Sequence, residues 1–348
     1  GDVVSSSTTT NDGSLTFTFT ISEPSEDFNQ NDISISGGTL TNFQSASEVK
    51  YTATFTPSNY GASTLNVKAD VFTDTLGNKN IASEVFSWFY DNASPVIGSV
   101  ALAADNGSIN ISFSEPVFNT TSGSGALEVS DFALSLTGGT ATLTSATPTA
   151  ITQSGNTYTL SFSLSGTPDG SEVISVAPLA NSIYDGSGNL ASTTQSNGSG
   201  TLFDNASPVI GSVALAADNG SINISFSEPV FNTTSGSGAL EVSDFALSLT
   251  GGTATLTSAT PTAITQSGNT YTLSFSLSGT PDGSEVISVA PLANSIYDGS
   301  GNLASTTQSN GSGTLFDQTK PVISAINFSD DNSYLDVEFS VEVFSNSN

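Results

Sequence analysis

Residues 91–203 recur letter for letter at 204–316, so the chain carries a 113-residue unit twice in succession, opened each time by an aspartate, Asp91 and Asp204. A period of this size is a domain with its own core; solenoid repeats of 20–50 residues must share theirs with neighbours. A third copy opens at Asp317 with looser identity: "DNGSINISFSEPVF" at 105–118 becomes "DNSYLDVEFSVEVF" at 331–344. The first ninety residues are a shortened relative, because four landmarks keep their order: "ISEPS" against "FSEPV", "DISISGGTLT" against "DFALSLTGGTAT", "YTATFTP" against "YTLSFSL", and "DTLGN" against "DGSGN". The expected organisation is therefore a short domain at 1–90, copy one at 91–203, copy two at 204–316, and the first strands of a further, incomplete domain at 317–348.

Within a copy the apolar period is two, the signature of strands with one buried face. Ile109, Ile111 and Phe113 alternate with Ser and Asn, as do Tyr158, Leu160, Phe162 and Leu164 with Ser and Thr. Turn-forming stretches divide these runs, among them "DNGS" at 105–108, "TGGT" at 137–140 and "DGSGN" at 185–189. About seven strands result: 95–103, 108–114, 131–137, the stretch 140–152, 156–164, 172–178 and about 198–203. No window shows a helical apolar stripe. The fold class expected is all-β, a tandem array of immunoglobulin-like antiparallel β-sandwiches.

Composition now narrows the chemistry. There are 32 acids against four bases, no His, no Cys and no Met, for a net charge of −28. Nucleic-acid or anionic-membrane binding is disfavoured, since both need clustered positive charge. Catalysis by His or Cys is excluded, and paired carboxylates of the glycosidase kind have no cleft-like spacing here, so the chain is expected not to be an enzyme and to hold no organic cofactor. No apolar run approaches the roughly 20 residues that span a bilayer. The Met-free chain reads as an interior piece or a processed product.

Each full copy carries eight acids and no base. Its carboxylates must be neutralised by metal, satisfied by backbone N–H groups, or left in water. Strand parity places Asp91, Glu115 with Asp131, and Asp185 at one pole of the sandwich, and Asp105 and Asp169 at the other. Modules joined end to end then gather like charges at their junctions, which a hard cation relieves by accepting oxygen ligands; Ca2+ takes about 6–8 of them. The candidate metal ligands are Asp91, Glu115 and Asp185 with Asp131 as helper, and in copy two Asp204, Glu228 and Asp298 with Asp244. Against this stands a plainer role for "DGSGN" as a hairpin turn, with Asp185 holding backbone N–H groups and Gly188 supplying a positive φ. Asp105 and Asp169 read as turn residues, and Trp88 as core. Among the Asn-X-Ser/Thr sequons, Asn110 and Asn119, with Asn223 and Asn232 one period on, are candidate glycosylation sites, Asn110 pointing outward from its strand.

Residues 51–91, "YTATFTPSNYGASTLNVKADVFTDTLGNKNIASEVFSWFYD", resemble the bacterial Ig-like repeats of large secreted and biofilm-associated, RTX-adhesin-like surface proteins. The longer copies, with "FSEPV", "SGTPDGSEV" and "YDGSGN", resemble a longer variety of the same repeats. That resemblance implies an extracellular or cell-surface stalk, often stiffened by calcium. The last copy departs from the pattern at Val341, where the others carry Glu115 and Glu228.

Three roles fit these observations. A spacer needs length without new chemistry, which two identical copies add, and its partners are the neighbouring repeats. A module binding glycans or proteins would use the loop "NTTSGSGALEVS", which lacks an aromatic or Arg anchor. A filament subunit would associate with other copies in a fibre, completing residues 321–348 by strand exchange.

Overall fold

The computed structural model describes residues 4–331, 333–341 and 343. The chain divides into two compact units, Gly1–Phe203 and Asp204–Asn348.

In the first unit the N-terminal sandwich contains β1 (Thr8–Thr10), β2 (Leu15–Thr20), β3 (Ile33–Ser36), β4 (Gly38–Ser47), β5 (Lys50–Pro57), β6 (Gly61–Val67) and β7 (Phe86–Tyr90). They form the sheets β1-β7-β6-β3 and β2-β5-β4. Pairing is antiparallel except for β1, which runs parallel to β7. Alternation in "LTFTFT" and "YTATF" turns Leu15, Tyr51, Ala53 and Phe55 inward, and the core they build is aromatic. Phe55 meets Trp88 edge-on at 4.7 Å, and Phe28 meets Tyr51 at 4.9 Å, geometries that suit ring quadrupoles.

The first copy follows with β8 (Ile97–Leu102), β9 (Ser108–Phe113), β10 (Val117–Phe118), β11 (Phe132–Thr137), β12 (Thr142–Leu143), β13 (Ala150–Ser154), β14 (Thr157–Ser161), β15 (Leu164–Ser165), β16 (Val173–Pro178), β17 (Tyr184–Asp185) and β18 (Ser199–Thr201). The sheets β13-β14-β9-β8 and β11-β16-β18 reproduce the immunoglobulin arrangement of four strands against three. Ile109, Ile111, Phe132, Leu160 and Ile174 are fully buried between them. Truncating any one to Ala would cost on the order of 2–5 kcal/mol. The expected strand at 140–152 divides in two, β12 and β13, because "TSATPTA" breaks the run with Pro148.

The second unit repeats these pairings one period on, with its own core around Ile222, Ile224, Phe245 and Leu273. It ends in a hairpin of Ile323–Phe328 against Leu335–Phe339; several of the last residues of the expected fourth segment lie outside the described ones. Among the described residues helical structure is limited to single 3-10 turns such as Val129–Asp131, and no helix is long and apolar enough to cross a membrane.

Candidate functional site

Asp185 is wholly buried at the end of β17, where the chain turns into a loop. Its Oδ1 accepts the backbone N–H groups of Ser187 and Asn189, both at 2.8 Å, and its Oδ2 accepts Asn189 Nδ2 at 2.7 Å. Gly188 has φ +87°, and a Cβ there would stand 2.7 Å from the Thr121 carbonyl oxygen. The turn role of "DGSGN" is thus real. Asp298 in copy two and Asp74 in "DTLGN" build the same loop from the same donors.

The turn role does not use up the carboxylate's surroundings. The two-residue ladder of β10 on β17 sets Val117 opposite Asp185, which holds Glu115 close by. Asp91 arrives from the end of β7, where its N–H donates to the Thr10 carbonyl at 2.9 Å. Its Oδ2 accepts Ser187 Oγ at 3.0 Å, and its carbonyl accepts Asn189 Nδ2 at 3.0 Å. One carboxylate oxygen from each of Asp91, Glu115 and Asp185 lies within 4.8 Å of the others, and Asp204, Glu228 and Asp298 group in the same way. In copy two the Asp204 carbonyl again accepts from Asn302 Nδ2, at 3.1 Å, and Glu228 receives Ser227 Oγ at 3.5 Å.

Electrostatics mark the group. Burial, and then the charges of Asp185 and Asp91, push the Glu115 carboxyl above its ordinary value. Three carboxylates with no base in the copy repel one another. An all-oxygen donor set of this kind fits a hard divalent cation and suits neither zinc nor a redox metal.

Two expected helpers fall elsewhere. Asp131 turns back to accept the Glu128 N–H at 2.7 Å, closing the turn Val129–Asp131, and Asp244 does the same with Glu241. Neither joins the groups of three, and burial raises the pKa of both. Asp105 and Asp169 hold turn N–H groups, those of Gly107 and Ser171. Of the sequon residues, Asn110 and Asn223 are exposed while Asn119 and Asn232 are half-buried. The Asn110 side-chain oxygen accepts Thr159 Oγ1 at 2.6 Å.

Glu172 stands one residue before β16. It is fully buried. Its Oε1 accepts the N–H groups of Thr140 and Ala141, and its Oε2 that of Asp169, all at 3.0 Å. The signal was the doubled glycine at 138–139: a Cβ on Gly139 would collide with the Glu172 carboxyl. Asn106 was also unforeseen. Buried at 3% exposure, it clamps the Phe203 backbone by donating to its carbonyl at 2.8 Å and accepting its N–H at 2.9 Å.

Fold and site together define an all-β protein of immunoglobulin-like sandwiches with clustered carboxylates at loop poles. Residues 2–88, the N-terminal sandwich, match the family described as "Bacterial Ig-like domain". No curated protein matches the chain. Among solved structures it is similar to InvD of Yersinia pseudotuberculosis, with 16% identity over 85% of this chain and 69% of that one, TM-score 0.26. It is similar to invasin, a bacterial integrin-binding protein, with 12% identity over 96% and 66%, TM-score 0.29. The S-layer protein SbsC follows with 11% identity over 95% and 62%, TM-score 0.19. Scores this low say nothing of how the modules are arranged.

Proposed function

We propose that the chain is a stalk segment of an extracellular bacterial surface adhesin, and that Ca2+ held by Asp91, Glu115 and Asp185, and by Asp204, Glu228 and Asp298, stiffens it where modules join. The carrying observation is the convergence of three base-free carboxylates in both copies. In the first unit Asp91 is at once a rung of the N-terminal sheet, through Thr10, and a partner of Ser187 and Asn189 in the next module. Whatever orders this carboxylate group orders the joint. Bound cation would supply charge neutralisation and ligand geometry; the loop "DGSGN", tied by its own backbone bonds, would present Asp185 without needing to be ordered on binding.

Calorimetric titration of the full chain with Ca2+ tests the reading. Heat is expected, saturating with one ion per group of three carboxylates. At about 100-fold excess over Kd the ion adds about 2.7 kcal/mol to the folded state, raising the melting temperature by several degrees. Asp185→Asn together with Asp298→Asn should abolish both effects. An absence of heat, with the same melting temperature in Ca2+ and in EGTA, removes the metal from the proposal.

A further inference from the structure

The letters Asn-Gly-Ser stand at two places in each copy, and the fold treats them in opposite ways. In "DNGS" at 105–108 Asn106 is buried. Its side chain donates to the Phe203 carbonyl at 2.8 Å and accepts the Phe203 N–H at 2.9 Å, while Asp105 holds the Gly107 N–H, also at 2.9 Å. Asn219 repeats the arrangement on Phe316, with Asp218 holding Gly220. In "SNGS" at 196–199 Asn197 is exposed, and Ser196 stands where the other stretch has Asp105. Among the described residues the Asn197 side chain makes no hydrogen bond and the Gly198 N–H finds no acceptor, and the same holds for Asn310 and Gly311 in copy two.

An asparagine followed by glycine is the pairing in which the next backbone nitrogen most easily reaches the side-chain amide, because glycine has no Cβ to obstruct the approach. The Gly198 nitrogen attacks Asn197 Cγ, the new C–N bond closes a succinimide ring, and the amide nitrogen leaves as ammonia with the proton that Gly198 gives up. Water then adds to one of the two imide carbonyls and breaks its C–N bond. Opening at one carbonyl yields aspartate; opening at the other yields isoaspartate, whose main chain runs through Cβ. Either product carries a carboxylate where an amide stood. At Asn106 every participant is already engaged, so ring closure must first break the clamp on Phe203 and free the Gly107 N–H from Asp105.

We propose that Asn197 and Asn310 are sites of spontaneous conversion to aspartate and isoaspartate, a modification that accumulates with the age of the chain and loosens the last strand of each copy, while Asn106 and Asn219 are spared. The place of the site gives the consequence. Gly198 lies one residue before β18, and its carbonyl accepts the Val176 N–H at 2.7 Å. A Cβ on Gly198 would collide with the Val176 carbonyl oxygen, so the chain runs hard against β16 there. The extra main-chain atom of isoaspartate, just ahead of this contact, must displace it. β18 has three residues and among the described residues pairs only with β16, so little else keeps its register. Gly311 makes the same contact with Val289 in copy two. The change uses no carboxylate of the cation site and stands apart from that reading.

Peptide mapping of the full chain after incubation in mildly alkaline buffer reads the conversion. The copies contain no Lys or Arg, so chymotrypsin serves for the digest, and because the copies are identical each peptide reports their sum. In the folded chain the peptide holding Asn197 and Asn310 should convert roughly 30-fold faster than the one holding Asn106 and Asn219, about 2 kcal/mol, as expected when two ordinary hydrogen bonds must break first. In urea the two peptides should convert at similar rates. The melting temperature of the folded chain should fall as conversion proceeds. Asn197→Gln with Asn310→Gln, both at exposed positions, should start at the parent's melting temperature and hold it through the same incubation. Folded chain in which Asn106 and Asn219 convert as fast as the exposed pair overturns the proposal, and so does an exposed pair that stays intact while the chain in urea converts. A melting temperature indifferent to conversion, or one that falls equally in the doubly substituted chain, refutes the loosening of the last strand.

Discussion

Replacing Glu172 by Gln in copy one alone tests the buried carboxylate with its twin as control. Glu172 accepts three backbone N–H groups, and Glu285 in copy two accepts the counterparts from Thr253, Ala254 and Asp282 at the same 3.0 Å. The substituted amide would keep two of these as neutral bonds through its oxygen, each weaker by roughly half than a bond to a charged acceptor. Its NH2 group would face the Asp169 N–H donor to donor, leaving a buried donor unsatisfied at about 1–3 kcal/mol. The loss totals about 3–5 kcal/mol. In a module of this size 1 kcal/mol moves the midpoint by about 3–6 °C, so the altered copy should melt roughly 10–30 °C early. Differential scanning calorimetry of the full chain should therefore resolve one displaced transition beside an unmoved one, and Glu285→Gln should give the same picture from the other copy. An endotherm that remains unsplit, or shifts by less than about 3 °C, would show that these bonds contribute little and refute the reasoning.

Two further outcomes follow from buried polar groups. Ser63 is 1% exposed and its Oγ has no hydrogen-bond partner, so Ser63→Ala should stabilise the N-terminal sandwich by about 1 kcal/mol; thermal melting followed by Trp88 fluorescence checks this, and a lower midpoint contradicts it. Glu115 has a raised folded pKa, so the folded state holds this proton more tightly than the unfolded one, and its contribution to stability is lost as pH rises from the ordinary Glu range through the folded value. In EGTA the gap in melting temperature between the chain and Glu115→Gln should widen over that window and close when Ca2+ is added; a pH-independent gap would be the contrary result.

Much of this was legible in the residues, because a period of two with glycine-rich turns leaves few alternatives. The strand expected at 108–114 is β9, and that at 172–178 is β16. The convergence of Asp91, Glu115 and Asp185 followed from strand parity alone, since loops at one pole of a sandwich come together whatever their sequence separation. Parity works at the level of loops and fails below it. Asp131 lies at the correct pole, yet a one-turn helix pulls its carboxylate back onto the Glu128 N–H. Glu172 stands where the loop into β16 ends, and its partners Thr140 and Ala141 lie more than thirty residues away, a contact no local pattern encodes. The place of β1 beside β7 was hidden for a related reason: the landmarks shared with the copies say which strands exist, and not which sheet the strand before them joins.

Asp91 belongs to two modules at once, as the rung beyond β7 and as the residue gripped by Ser187 and Asn189. The connection from β7 to β8 therefore opens on a residue that both sandwiches hold. Tension applied along the chain would load the Thr10 rung and the "DGSGN" loop together. Force would then pass between these two sandwiches through the residue that both of them hold.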